Sequence, residues 1–429
     1  MAQTDVGLRM RRSSLLNLGS DGGIREAAAS CSRAPVEFSA NGEPFRVEWR
    51  SSTSEIPLGA WQRCFAPPLE GLWLYSALEK AGLEDQFRFV YGLVMRGGEV
   101  VAIAPIFEAL LPISLVAPAL LDWVLSLGGR LLHHLRFQKM LFVGCPCSDE
   151  GTVGMAPGVS LGDFAGLLQQ ALWERTRERK AACLVWKDFP ESAWPALRAL
   201  SREAGLGEAV SYPGTRIADI GSDFESYLGR LTANRRHNLR KKLRLSRAHV
   251  DVTVEIVSKP DAARIEEVWR LFQNTYERAT TRFERLTKKF WEVVCQQAQS
   301  RVIILRERSI GQAVAFMLVI MQGKRAINKF IGLDYGLGTK AYLYFRLWEE
   351  FIRFATQAGA EEVQSGQTAY RAKRDLGHEL VPLNNFFRYR NPLIQLIALF
   401  FAKRISWSSL DDDLGRAMRS RGWNARRSG

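Results

Sequence analysis

"RVIILRERSIGQAVAFMLVIMQGKRAINKFIGLDYGLGTKAYLYFRLWEEFIRFATQAG" spans Arg301–Gly359. Three runs rich in Val, Ile and Phe are separated by turn residues at Ser309–Gly311 and Gln322–Lys324. That pattern predicts a three-strand antiparallel meander. Beyond it, Ala341, Tyr344, Phe345, Trp348, Ile352 and Ala355 recur at helical spacing, one apolar face of an amphipathic helix that Gly359 ends. Between strand and helix stand Gly336, Gly338 and Thr339. A glycine loop feeding a helix N-terminus points backbone N–H groups at one spot, which suits phosphate. Gly336, Gly338 and Ala341, with Glu361 further on, also fit the spacing of a dinucleotide fingerprint. That fingerprint needs the first turn of a parallel βαβ unit, so an antiparallel meander excludes it.

Outward from this run, "VDVTVEIV" alternates Val252, Val254 and Ile256 with polar residues, a half-buried strand. "PDAARIEEVWRLFQNTYERA" and "LTKKFWEVVCQQAQ" read as helices, and "AEEVQSG" as a closing strand. The first half repeats the order. "PFRVEWRSS" is a strand, and helices follow in "PLGAWQRCFAPPLEGLWLYSALEKAG". A hairpin turns at Gly97-Gly98, a helix starts after Ser160, "AACLVWKDF" is a strand and "ESAWPALRALSREAG" a helix. A repeat of element order without sequence identity predicts an α+β chain of two tandem domains, each a mostly antiparallel sheet flanked by helices. The expected division is a loose arm at 1–40, domains at 41–215 and 216–405, and a basic tail at 406–429.

Of the 429 residues, 47% are hydrophobic and 24% charged, ordinary for a folded chain. The net charge of +14 is not ordinary and points to an anionic partner. Cysteines 31, 64, 145, 147, 183 and 295 include one close pair, Cys145 and Cys147 in "GCPCSDE", with no second pair to complete a zinc site. They read as reduced thiols of a cytoplasmic protein. Arg9, Arg11 and Arg12 precede no apolar signal core. Two apolar stretches, 109–129 and 391–407, are too short or too interrupted to span a bilayer. Each reads as a buried helix or as a helix lying on an anionic membrane.

"LGRLTANRRHNLRKKLRLSRAH" (228–249) is the most basic stretch. On a helix, Leu228, Leu231, Leu239 and Leu243 gather on one face. Arg230, Arg240, Lys241, Arg244 and Arg247 spread over the other, with Arg236 at the border and Arg235 and Lys242 among the leucines. Like charges four residues apart repel, so an anion is expected to offset them. Tyr227 and Trp269 bracket a stretch without aromatics for base stacking, and no groove-reading motif occurs, so DNA is not expected. Two further motifs carry little. "GVSLG" (158–162) lacks the strand that a nucleophile elbow needs, and Ser160 with Asp163 reads as a capping box. His133-His134 point apart on a helix and have no third ligand, so no metal is expected.

The element order and the 336–339 loop resemble the GNAT acyltransferase superfamily. Its pyrophosphate loop, Gln/Arg-x-x-Gly-x-Gly/Ala, is matched here by Leu333, Gly336 and Gly338, with Leu333 departing from it. A longer resemblance is to double-GNAT proteins of the CelD type and, more remotely, to Fem-type peptidyltransferases. It rests on "NRRHNLRKKLRL" (234–245), on the 302–357 unit and on "VQSGQTAYRAKRDLGHELVPLNNFFRY" (363–389), read as strand, turn and last hairpin.

What the resemblance implies is acyl transfer from an acyl-CoA co-substrate, bound at Gly336, Gly338 and Thr339, to an envelope glycan, a lipid precursor or a small amine, without a metal. Tyr370 would be the acid and Lys373 its catalytic partner. Arg235, Arg236, Asn238, Arg240, Gln364, Gln367 and Arg374 would bind substrate or anion. His237, Glu284 and Asp334 are the candidate bases, with no choice among them. Aminoacyl transfer from tRNA and a non-catalytic anion- or membrane-binding scaffold are the alternatives. The expected location is the cytoplasm, with or without peripheral contact at the inner membrane.

Overall fold

The computed structural model describes residues 37–38, 44–112, 137–278 and 284–419. Most of the expected N-terminal arm, most of the 109–129 stretch and His133-His134 lie outside them.

Two sheets organise the chain. Among the described residues the first runs β1 (Glu37–Phe38), β2 (Phe45–Arg50), β3 (Phe87–Arg96), β4 (Glu99–Pro112), β5 (Phe137–Val143), β7 (Cys183–Pro190), β16 (Leu383–Tyr389) and β8 (Gly207–Val210), with β6 (Gly154–Met155) beside β4. The second runs β10 (Val252–Val257), β11 (Ser300–Glu307), β12 (Ala313–Gln322), β13 (Arg325–Leu333), β14 (Glu362–Ser365), β9 (Gly214–Ile217) and β15 (Glu379–Val381). Pairing is antiparallel except for β5 with β7 and β13 with β14. This is the α+β, two-sheet architecture expected from the repeat.

Local chemistry accounts for many of the elements. Gly97 and Gly98 both take positive φ in the β3–β4 turn, as a two-residue hairpin requires. Ser160 and Asp163 form the expected capping box on the helix Leu161–Glu178. Helices Leu161–Glu178 and Trp194–Ala204 cover one face of the first sheet. Helices Ala233–His249 and Leu343–Gln357 cover the outer face of the second. The inner faces share one core, in which Phe107, Phe142 and Val185 join Trp291, Phe316 and Ile327.

Two expectations are corrected. The basic stretch is not one helix. Phe224–Arg230 ends before Leu231, and a second helix, Ala233–His249, restarts with Thr232 capping the Arg235 amide. Leu228 and Leu231 are still buried beside Leu239 and Leu243, because the break keeps the apolar side turned inward. The segment 363–389 does not end in a hairpin. β15 pairs with β9, whereas β16 enters the first sheet between β7 and β8, where Phe386, Phe387 and Tyr389 are buried. The basic tail carries further structure. Residues 407–410 and 412–419 are short helices, tied down where Trp407 donates to Ser211 O and Tyr212 to Leu410 O.

Candidate functional site

Each sheet holds one parallel strand pair, and each pair comes apart at its carboxyl end. β5 and β7 pair from Met140–Cys183 to Val143–Trp186, after which β5 gives way to "GCPCSDEG" and β7 continues through Lys187 and Asp188. β13 and β14 pair from Arg325–Glu362 to Asn328–Ser365, after which β13 continues to Leu333 beside β12 only. Lys329 is the extra residue of a bulge, since Leu318 faces Phe330 and Val319 faces Asn328. Carboxyl ends of diverging parallel strands are where open sheets bind ligands.

The two ends meet. Lys329 Nζ donates to both oxygens of Glu70, at 2.7 and 2.8 Å, and Ser148 Oγ donates to Glu70 at 2.8 Å. Gln364 Nε2 donates to Asp149 at 3.3 Å and its Oε1 accepts from Arg325 at 3.1 Å. Lys187 is ion-paired with Asp188, which also accepts from Ser211. Asp188 has φ +59, strained for a residue with a side chain, and Asn385 Oδ1 accepts its amide at 2.8 Å. Gly151 lies so close to this strand that a Cβ there would stand 1.9 Å from Lys187 O.

The result is a cluster of carboxylates in a basic protein. Glu70 and Asp149 act on the ammonium group of Lys329 and Asp188 and Glu284 on that of Lys187, while Glu150 adds its charge beside Asp149 and Glu70. Lys329 is 3% exposed and Glu70 8%. Desolvation would lower Lys329, but Glu70 and Asp149 hold it above the ordinary lysine value. Lys187 is likewise raised by Asp188 against its desolvation. Burial pushes the Glu284 carboxyl up to about 7, with Lys187 and Lys329 pulling the other way. Burial also raises Glu150. It pushes the Cys145 thiol up to about 12 and raises Cys147, so both thiols stay protonated and neither is an activated nucleophile. Among the described residues there is no metal-type cluster and no disulfide.

The expected site residues divide. Gln364 belongs to this cluster, and of the three candidate bases only Glu284 does. His237 is exposed, and Asp334 Oδ1 accepts the Gly336 amide at 2.8 Å. Lys373 is buried and donates to Gly366 O on the turn beside Asp149, and burial lowers its amine to about 8. Tyr370 is fully buried, and its hydroxyl donates to Pro213 O at 2.9 Å. Gln367 donates to Tyr212 O at 2.8 Å, and Arg374 lies 3.6 Å from Asp375.

The basic helix is largely answered from within. Arg236 hydrogen-bonds Leu228 O, Gly229 O and Leu231 O, Arg240 pairs with Glu225, Lys242 with Asp375, and Arg247 with Glu349. Asn238 donates to Asn234 at 3.3 Å, and Arg235 is half-buried. The helix abuts the glycine loop, with Ser246 donating to Ala341 O and His249 Nε2 lying 3.0 Å from Leu337 O. Gly336, Gly338 and Thr339 are exposed, and the Gly338 amide donates to Tyr335 O at 3.1 Å.

Glu70, Asp149, Lys187, Asp188 and Lys329 were not singled out from the sequence. A signal was present for three. Lys187-Asp188 interrupts "CLVWKDF" and Lys329 interrupts "AINKFIGL", charged residues inside apolar strands that must be paired when buried.

Residues 208–403 match the FemAB-like family model, described as peptidoglycan biosynthesis/recognition. No curated protein matches the chain. The crystal structure of FemX superposes with a TM-score of 0.56 at 12% identity, covering 82% of this chain and 100% of that one. The structure of L-PGS from Bacillus licheniformis gives 0.47 at 11% identity, covering 77% and 92%. A tandem GNAT protein from the clavulanic acid biosynthesis pathway gives 0.46 at 13%, covering 81% and 99%. The superposition on FemX shows a shared fold.

Proposed function

We propose that the protein is a transferase that moves an aminoacyl group from tRNA onto an amine of a cell-envelope precursor, as in Fem-type transfer. The observation that carries this reading is the partly buried acidic cluster at the carboxyl ends of both parallel strand pairs, in which Glu284 feels the charges of Lys187 and Lys329. Glu284, Lys329 and Gln364 fall inside the FemAB-like match, which supports the envelope side of the reading.

The chemistry follows from these groups. An acceptor amine arrives as an ammonium ion, and the carboxylates favour its approach to the cluster. Glu284, with its carboxyl near 7, first takes one proton from the ammonium ion and releases it to solvent, and then takes the second as the neutral nitrogen attacks the ester carbonyl. The developing oxyanion is stabilised by ammonium groups at the cluster, Lys187 or Lys329. The C–N bond forms, the C–O bond to the ribose breaks, and the second proton passes from Glu284 to the leaving oxygen.

A second reading, acyl-CoA as donor in a CelD-like acetyltransferase, is favoured by the exposed loop Gly336–Thr339 preceding the helix Leu343–Gln357. The test is transfer by the purified chain to a peptidoglycan stem-peptide amine, from labelled aminoacyl-tRNA or labelled acyl-CoA. Turnover with aminoacyl-tRNA that Glu284→Gln abolishes is the expected result. Turnover with acyl-CoA alone replaces it with the second reading. Transfer from neither donor overturns both and leaves a binding scaffold.

A further inference from the structure

The helix Pro392–Ala402, "PLIQLIALFFA", contains no charged residue and has two unlike sides. Its inner side is fixed. Ile394 and Ala398 pack on the shared core, and Ala402 is buried in it. Gln395 accepts from the Tyr389 amide and donates to Gly205 O. Asn391 caps the first turn through Leu393 N and Ile394 N. The helix is therefore docked.

The outer side is apolar and open. Leu393, Leu396, Ile397 and Phe400 follow the i, i+3, i+4, i+7 spacing of one face. Leu393 and Leu396 are each 64% exposed and Phe400 54%. Four large apolar side chains aligned on one face exceed the scattered exposures that any surface shows. The face is bounded by charge of one sign. Exposed Arg390 precedes the helix, and exposed Lys403 and Arg404 follow it. The Arg404 guanidinium lies 3.5 Å from the Phe400 ring centroid and donates to Phe400 O, so a cation stands on the C-terminal end of the apolar face.

We propose that this face rests on the surface of an anionic lipid bilayer. The chemistry selects that occupant. An apolar stripe enters the acyl boundary, while cations at both ends of the helix meet headgroup phosphates. Eleven residues make a helix of about 16 Å, against about 30 Å of hydrocarbon, so it lies along the interface. No described helix is long and apolar enough to cross. The overall charge of +14 adds attraction to the same surface. Nothing in this inference depends on the transferase reading.

The test is co-sedimentation of the full chain with vesicles of equal parts phosphatidylglycerol and phosphatidylcholine, and with phosphatidylcholine vesicles alone. The wild-type chain pellets with the anionic vesicles. Leu396→Glu with Phe400→Glu reduces the bound fraction roughly tenfold or more, and Lys403→Glu with Arg404→Glu abolishes the preference for anionic lipid. All four side chains are exposed, so the melting temperature stays that of the wild type, and this is measured in parallel. Wild-type chain that stays in the supernatant with both vesicle types, or an L396E/F400E variant that binds as well as wild type, overturns the proposal. Sedimentation velocity adds one more outcome. A wild-type dimer that L396E/F400E dissociates, with no vesicle binding, assigns the face to a second copy of the chain instead.

Discussion

Lys329 Nζ donates to both carboxylate oxygens of Glu70, at 2.7 and 2.8 Å, and so joins the bulge of the second sheet to the turn before the helix Leu72–Glu79 under the first. The pair is nearly sealed from solvent. Burying two charges is costly, and their attraction offsets that cost only while both are present.

Removing one partner is therefore the severe change. Glu70→Gln strands an ammonium group in the interior and is expected to lower unfolding free energy by about 3–5 kcal/mol. Glu70→Leu combined with Lys329→Met recovers more than half of that loss. Urea unfolding of the three variants checks this. A double variant no better than Glu70→Gln would show that the pair does not act as a unit.

Glu284 fixes a pH dependence. Its carboxyl is raised from 4.5 to about 7, so in the folded state it is protonated at pH values where the unfolded chain has ionised. Between those values the folded state holds more protons, and stability from this group falls as pH rises. Above about 7 the cost is present in full. Glu284→Gln is thus expected to raise the melting temperature near pH 8 and to change it little near pH 4. If Glu284 is the base, turnover rises with pH through about 7 in the wild type, and the variant loses that limb.

Lys373 gives the opposite sign. Burial lowers its amine from 10.5 to about 8, so between those values the unfolded chain holds the extra proton and stability rises with pH. Below about 8 the cost of the buried charge is constant. Lys373→Met is expected to flatten the stability profile across that window, as followed by melting temperature. An unchanged slope would show that this amine is not the group responsible.

Tyr370 is expected to hold structure. Its hydroxyl donates to Pro213 O, a bond that ties the helix Tyr370–Asp375 to the residue preceding β9. Tyr370→Phe is expected to cost about 1 kcal/mol of stability, the usual worth of one such bond, and to retain turnover. Loss of turnover with stability intact would restore the acid role suggested by the family resemblance.

On the basic helix, Lys241 and Arg244 are exposed and make no ion pair among the described residues, unlike Arg240, Lys242 and Arg247. Lys241→Glu with Arg244→Glu is expected to leave stability within about 0.5 kcal/mol, as surface changes do. If the donor is tRNA, the same variant weakens binding and lowers the slope of log affinity against log salt by about 1.5, as expected for two lost phosphate contacts on a single strand. Filter binding over a salt series measures it.

The sequence by itself determined what depends on neighbours a few residues apart. The Ser160–Asp163 cap, the Gly97-Gly98 turn, the meander of Ser300–Leu333 and the helix Leu343–Gln357 all stand where spacing and turn chemistry place them. The family resemblance reached Gln364 and included Glu284 among three bases. Only the tertiary structure decided which charges share a cluster. Lys329 finds Glu70, Gln364 finds Asp149 and Glu284 finds Lys187 because both parallel strand pairs end against each other, and no local spacing encodes that meeting. It likewise sent Leu383–Tyr389 into the first sheet and set Leu393, Leu396, Ile397 and Phe400 facing outward. The physical reason is common to all of these. A side chain's charge state and its partner depend on how much water the assembled core removes around it, and that is a property of packing between segments distant in sequence.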